Sequence, residues 1–225
     1  RLAALLSADE AVAPPWVRAC ALYTAGLVGA PALAEAAEAC RSHGAPIVRE
    51  LAGWAAPRLA AVPAAPAAGA DQPVVEGATM LTTVERVIIL KGVGIFAATP
   101  DPVLAELAAL LEEEEAAAGQ PIFTKGDPGS SLYIIVAGEV RVHDGVSTLN
   151  HLGERDVFGE MALLDPAPRS ASVTAVADTL LLRLDAEPFY ELMDERIEIA
   201  RGIITVLTGR LRDRMRDLEE ARRAG

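Results

Sequence analysis

Cysteine, histidine and aromatic residues are scarce in this chain of 225 residues. Its 2 cysteines, Cys20 and Cys40, lie outside any CxxC pair. They exclude a disulfide scaffold, so we expect two reduced, partly buried thiols and a cytoplasmic setting. The 3 histidines, His43, His143 and His151, are dispersed and lie near no cysteine cluster. We therefore predict no metal site and no cofactor. No Ser-His-Asp arrangement stands out, and we expect no enzyme.

Long apolar runs and clustered positive charge are also missing. Pro31, Arg58 and several glutamates interrupt every candidate for a membrane span, and no signal peptide is visible. The formal net charge is −12, which argues against nucleic acid as a partner. The chain begins with Arg1 rather than Met. We therefore expect it to be a piece of a longer protein with an upstream domain.

Residues 1–61 predict short helices that form a weak repeat. Residues 15–21 and 46–52 share the pattern Pro-x-Val-Arg-x-x-Ala, and Tyr23 then matches Trp54. Proline is tolerated in the first turn of a helix. The pattern resembles the second helix of HEAT repeats. Those repeats are longer, at roughly 40–47 residues, than the spacing between the two copies here, which begin at Pro15 and Pro46. An ordinary alanine-rich helical bundle remains the alternative. Residues 62–79 are rich in Pro, Ala and Gly and predict a linker.

Residues 80–225 predict a second domain of a different kind. Helical spacing at 84–91 and 101–111 is followed by short strands at 121–123, 131–136, 140–143, 148–152, 171–177 and 179–184. Turn signals separate the strands, and residues 186–224 read as helix again, with one apolar stripe. The fold class expected is α+β: an antiparallel β-roll, jelly-roll-like, with flanking helices, preceded by an all-α HEAT-like segment.

Residues 158–173 carry the chemistry. Gly159 lets the backbone approach a sugar closely, because it has no Cβ. Glu160 is an acceptor when ionised and suits a ribose hydroxyl. Met161 and Ala162 begin a helical turn whose free amides would face an anion. Arg169 follows a proline-limited loop, and its planar fork fits phosphate oxygens.

This segment resembles the phosphate-binding cassette of the cyclic-nucleotide-binding family, which includes catabolite activator protein and the regulatory subunit of protein kinase A. The resemblance extends to 92–96, 125–129, 132–138 and 210–212. It implies a ligand site, which consists of Gly159, Glu160, Met161, Ala162, Arg169, Ser170, Ala171 and Ser172. We interpret the turn glycines, Gly126, Gly129, Gly138 and Gly145, as structural only.

Serine at position 170 favours cAMP over cGMP in this resemblance, where threonine accompanies cGMP. The function expected is a ligand-binding regulatory module. Ligand draws the C-terminal helix over the base and signals to the helical repeats or to an upstream domain, for which a transmembrane transporter is one candidate. A second copy of the chain, bound through the C-terminal helix in a homodimer, is a further candidate partner. The alternative is a vacant roll, with Glu160 and Arg169 joined in an internal ion pair, that serves with the repeats as an interaction scaffold.

Overall fold

The computed structural model describes residues 1–61, 80–165 and 167–224. Contacts within the chain divide it into two compact units, Arg1–Glu85 and Arg86–Gly225. The predicted linker, 62–79, lies outside the described residues. A second domain that begins at residue 80 stays a prediction.

The first unit is helical. It consists of α1 (Leu2–Ser7), α2 (Pro15–Val28), α3 (Ala34–Ala39) and α4 (Pro46–Ala60), with 3₁₀ turns at Pro31–Leu33 and Cys40–Ser42. Proline occupies the first position of both α2 and α4, where its missing N–H has no partner to lose. The core consists mainly of alanine and leucine, and Cys40 is part of it.

The residues of the repeated pattern have parallel roles in this unit. Arg18 is buried and donates to the carbonyls of Leu6 and Ala8, at 3.1 and 2.6 Å. Arg49, its counterpart, donates to the carbonyls of His43 and Gly44, at 2.8 and 2.6 Å. Each arginine thus ties its helix to the segment before it. The assignment of the helices to HEAT-like repeats stays a prediction.

The aromatic residues of the pattern meet where α2 packs on α4. The rings of Tyr23 and Trp54 stack with their centroids 5.1 Å apart. Arg58 covers the Trp54 ring at 4.2 Å. Gly26 makes this approach possible, because a Cβ there would lie 2.3 Å from the Trp54 ring.

The second unit combines helices with two four-stranded antiparallel sheets. Helix α5 (Thr83–Gly92) starts within the first unit, and a 3₁₀ turn (Gly94–Phe96) and α6 (Asp101–Ala108) follow. The strands are β1 (Glu112–Ala116), β2 (Pro121–Phe123), β3 (Ser131–Ala137), β4 (Val140–His143), β5 (Thr148–Leu152), β6 (Val157–Phe158), β7 (Ser172–Ala175) and β8 (Thr179–Asp185). Helix α7 (Glu160–Leu164) lies between β6 and β7, and α8 (Ala186–Glu195) and α9 (Ile197–Ala224) complete the unit.

One sheet has the strand order β1-β8-β3-β6 and the other β2-β7-β4-β5. Tyr133, Ile135 and Leu181 of the first sheet and Val140 and Val173 of the second share one buried cluster. The antiparallel β-roll with flanking helices is therefore confirmed. The run of four glutamates at 112–115 lies in the edge strand β1, and Arg183 of β8 bonds Glu112 at 3.0 Å.

The helical stretch predicted at 186–224 is divided into two helices, α8 and α9. The chain leaves helical geometry at Arg196, whose Nε donates to Glu106 of α6 at 2.7 Å. Beyond the break, Ile199 and Ile203 of α9 are buried. Gly202 packs beside them against Thr99, whose Oγ1 would lie 2.9 Å from an added Cβ.

The predicted apolar stripe continues along α9 into solvent. Leu207, Leu211 and Met215 are exposed, whereas the side chain of Leu218 lies outside what the structure describes. Within the described ranges, no helix is both long enough and apolar enough to cross a bilayer.

We expect Gly26→Ala to destabilise the helical unit by about 1–3 kcal/mol, because the added methyl overpacks the Trp54 ring. Gly53→Ala is the matched control, since nothing lies within 4 Å of its Cβ. Alanine there should stabilise the helix by about 0.5–1 kcal/mol. Urea unfolding followed by tryptophan fluorescence isolates this unit, because both tryptophans lie in it. Shifts of the same sign for the two variants would contradict the packing described.

Candidate functional site

A cavity of about 310 Å³ opens between the two sheets beside α7. Its walls are mostly apolar and come from both sheets: Phe123, Val142, Leu152, Val157, Phe158 and Val173. Its polar rim consists of Asn150, Gly159, Glu160, Arg169 and Ser170. Ligand pockets are commonly apolar with a few convergent polar groups, and this cavity has that composition.

The backbone of Arg169 is fixed from two sides. Its N–H donates to the carbonyl of Asp127 at 2.8 Å, and its carbonyl accepts from the N–H of Gly126 at 2.8 Å. A bridge between Pro128 and Pro168 continues this pairing. The turn at 126–129 therefore determines where the arginine enters the cavity.

The guanidinium of Arg169 is buried with a relative exposure of 7%. Its Nη1 donates to the carbonyl of Ser131 at 2.8 Å, and its Nε is buried without a hydrogen-bond partner in the described residues. Burial lowers the pKa of this guanidinium, against the opposing effects of Tyr133 and Asp127. An arginine stays protonated at neutral pH even so. The cavity therefore presents a buried positive charge at its rim.

Gly159 stands at the N-terminus of α7 in the left-handed region, with φ of 78°. A Cβ at this position would lie 2.6 Å from Nη1 of Arg169 and 2.8 Å from the carbonyl oxygen of Ser131. Both contacts are too short for a side chain, so each of them by itself requires glycine at this position. No side chain of the described residues caps this end of α7, which leaves amides available to an anion.

Glu160 follows on the rim of the same cavity and is half-buried. Among the described residues it forms no ion pair with Arg169. The internal ion pair expected for a vacant roll is therefore not formed. Its carboxylate remains available as an acceptor on the wall of the cavity.

The structure brings seven of the eight predicted site residues to the cavity: Gly159, Glu160, Met161, Ala162, Arg169, Ser170 and Ala171. Ser172 is the exception. It starts β7, and its Oγ accepts from the N–H of Lys125 at 3.0 Å. Because Val173 lines the cavity, its neighbour Ser172 faces the opposite side of the sheet.

Sequence reasoning missed two parts of the site. Gly129 is more than a structural turn residue, since an added Cβ would lie 3.0 Å from Nε of Arg169 and 2.9 Å from the Cβ of Ala162. The aromatic wall was also missed: Phe123 lies under the guanidinium at 4.1 Å from its ring centroid. The alternation of apolar residues along the strands could have indicated inward-facing side chains, but not which of them meet Arg169.

Metal chemistry finds no support in the part of the chain that the structure describes, where no group of His, Cys, Asp or Glu side chains is arranged to hold an ion. His151 instead contacts Glu139 at 2.6 Å, and His143 contacts Thr174 at 3.0 Å. The prediction of no metal site is left as it stands.

The β-roll and its buried arginine define a ligand-binding module. Residues 113–196 match the family model of the cyclic nucleotide-binding domain. This part of the chain is a domain of that family.

Similar proteins agree with this assignment. The chain is 33% identical over 129 residues to the CRP-like cAMP-activated global transcriptional regulator of Mycobacterium tuberculosis, covering 55% of this chain and 58% of that protein. It is 43% identical over 100 residues to the cyclic AMP receptor protein of Thermus thermophilus, covering 42% of this chain and 46% of that protein. Among solved structures, the N-terminal domain of a transcriptional regulator from Streptomyces coelicolor matches with a TM-score of 0.53 and 34% identity. That match covers 57% of this chain and 93% of the other.

The chain spans about half the length of the curated relatives it matches. The first is named as a regulator and the second as a receptor protein, and neither name is that of an enzyme. One is a transcriptional regulator by name. The expectation that nucleic acid is not a partner, drawn from net charge, therefore stays a prediction.

We expect Gly159→Ala to lower the free energy of unfolding of the β-roll unit by about 1–3 kcal/mol, because alanine is strained at this φ and meets backbone. Gly153→Ala is the control, since its Cβ would enter open space. The measurement is urea unfolding followed by far-UV circular dichroism. Equal stability of the two variants would mean that the close approach at Gly159 is relaxed without cost.

Proposed function

We propose that the cavity binds a purine cyclic nucleotide, cAMP in preference to cGMP, and that the domain acts as a regulatory module. One observation carries this proposal: a buried, unneutralised guanidinium at the rim of an apolar cavity. The cyclic phosphate supplies one negative charge for Arg169, and the base supplies the surface that the apolar walls would cover. The names of the two curated relatives add support for cAMP.

The remaining rim residues take the other parts of the nucleotide. Glu160 accepts a hydrogen bond from the ribose 2′-hydroxyl, which is a donor that a carboxylate suits. Gly159 lets the sugar approach the backbone. Met161 and Ala171 line the same cavity, and their backbone amides would donate to the phosphate oxygens. Ser170 is exposed at the rim, where its side chain meets the ligand from outside.

The proposal predicts that Arg169→Ala weakens cAMP binding far more than Ser170→Ala. Hydrogen bonds to charged groups contribute about 1.5–3 kcal/mol, which is roughly 10- to 150-fold in Kd. Ser170 can use its backbone N–H whatever its side chain, so its loss should stay within about threefold. Isothermal titration of both variants and of the unchanged chain, with cAMP and with cGMP, measures these affinities.

Three results would each count against a part of the proposal. No heat and no thermal shift with millimolar cAMP or cGMP would refute nucleotide binding. The alternative of a vacant roll that serves as an interaction scaffold would then be favoured. Equal losses for the two variants would refute the roles assigned to Arg169 and Ser170. Tighter binding of cGMP than of cAMP would refute the base preference alone.

We further propose that occupancy is signalled through α9, either to the helical unit, to an upstream domain such as a transporter, or to a second copy of the chain. The exposed stripe at Leu207, Leu211 and Met215 supports this role. None of the described side chains of α9 lines the cavity, so a ligand that attracts this stripe must shift the helix. Such a shift requires different ligand affinity in the two positions.

We therefore expect cAMP to slow amide hydrogen exchange in residues 204–222. The segment 197–203 serves as the internal reference, because Ile199 and Ile203 are already buried. Unchanged exchange in 204–222 despite proven binding would show that the signal leaves by another route, such as α5 and α6.

A further inference from the structure

We propose that Phe123 is a positioning residue for Arg169: the face of its ring holds the guanidinium in the pose that receives the anion. The inference deepens the function proposed above, since its affinity measurement uses cAMP. The resemblance that identified the cassette says nothing of Phe123, which lies on β2, outside residues 158–173.

The geometry is that of a cation over an aromatic face. The Cζ atom of Arg169 lies 4.1 Å from the centroid of the Phe123 ring and 5.8 Å from that of Tyr133. Both distances fall within the roughly 6 Å over which such attraction acts, and burial strengthens it. Phe123 is the closer ring and therefore makes the larger contribution.

Little else orients the side chain of Arg169. Nη1 has its bond to the carbonyl of Ser131, while Nε has no hydrogen-bond partner in the described residues. An arginine side chain has considerable rotamer freedom to lose. One hydrogen bond fixes one corner of the planar group, whereas a ring face fixes the plane itself. Without Phe123 the guanidinium could rotate about that single bond.

The ring offers what a carboxylate could not. A carboxylate would orient the arginine but also neutralise it, and a ligand phosphate would then have to displace it. A π face attracts the cation and leaves its net charge in place. The arginine is thus preorganised before the ligand arrives, which lowers the ordering cost of binding.

Phe123 is itself held by other rings. Its centroid lies 5.9 Å from that of Tyr133 and 5.8 Å from that of Phe158. Those two rings stack on each other at 5.1 Å and 8°, and both are buried. The orientation of Phe123 is therefore set by the core rather than by the ligand.

The affinity test compares Phe123→Leu and Phe123→Tyr, each titrated with cAMP. Leucine keeps an apolar side chain but removes the face, so we expect about a tenfold loss of affinity. Tyrosine keeps the face and should stay within about threefold. Because Phe123 also lines the cavity, both variants are repeated in the Arg169→Ala background, with concentrations raised to reach its weaker Kd. There Phe123→Leu should cause no further loss. An equal loss in both backgrounds would overturn the inference, because Phe123 would then act by direct contact with the nucleotide.

A measurement without ligand decides the inference independently. The Nε–H resonance of Arg169, assigned by its disappearance in Arg169→Lys, should lie upfield in the unchanged chain because of the ring current of Phe123. It should return towards the ordinary arginine position in Phe123→Leu and stay upfield in Phe123→Tyr. An ordinary position in the unchanged chain overturns the inference without needing any variant to fold. If no cyclic nucleotide binds yet this resonance behaves as expected, the proposed function fails while the positioning role of Phe123 stands.

Discussion

The guanidinium of Arg169 brings a positive charge into the β-roll without a carboxylate beside it. Such a group is costly to bury unless its surroundings compensate. Here the compensation comes from the carbonyl of Ser131 and from the ring of Phe123, while backbone pairing with the turn at 126–127 fixes the position of the residue. Two glycines, Gly129 and Gly159, leave room for this arrangement, since a Cβ on either would approach the guanidinium to 3.0 or 2.6 Å. The site therefore depends on how one charge is packed.

The net charge of the chain is −12, but this sum does not show how the acidic side chains are distributed and paired. Carboxylates of the β-roll unit are engaged with other basic groups: Glu112 with Arg183, Glu113 with Arg86, Glu106 with Arg196 and Glu139 with His151. Those of the pairs that are exposed contribute little to stability. Their effect here is on charge distribution, because each engaged carboxylate is one that does not compete for Arg169. At physiological ionic strength, charges beyond roughly 8 Å are largely screened, so the charges that act on an anion at the cavity are mainly those of its own lining, Arg169 and Glu160.

The sequence was informative where a local pattern determines a local structure. Turn signals and alternation predicted most strands of the roll, and the segment 158–173 predicted Gly159, Glu160 and Arg169 at one cavity. It failed where the cause lies elsewhere in the fold. The break at Arg196 has no proline or glycine to mark it and coincides with a bond to Glu106 on another helix. Phe123 lies far from Arg169 along the chain, and the two meet because β2 pairs with β7 and the turn after β2 pairs with the backbone of Arg169. Ser172 is a different case, since it directly precedes Val173 on β7 and strand alternation places it on the other face.

The way α9 is anchored gives it the mechanics of a lever. Near its start, Arg196 is bonded to Glu106, Ile199 and Ile203 are buried, and Gly202 sits close against Thr99. The helix then runs on for a total of 28 residues, which is roughly 42 Å at 1.5 Å per residue. With a fulcrum at the anchored end, a tilt of about 10° displaces the far end by roughly 5–7 Å, a distance comparable to one helical turn. The anchored segment need move only slightly for the tip to travel that far, so mechanical amplification follows from arm length alone.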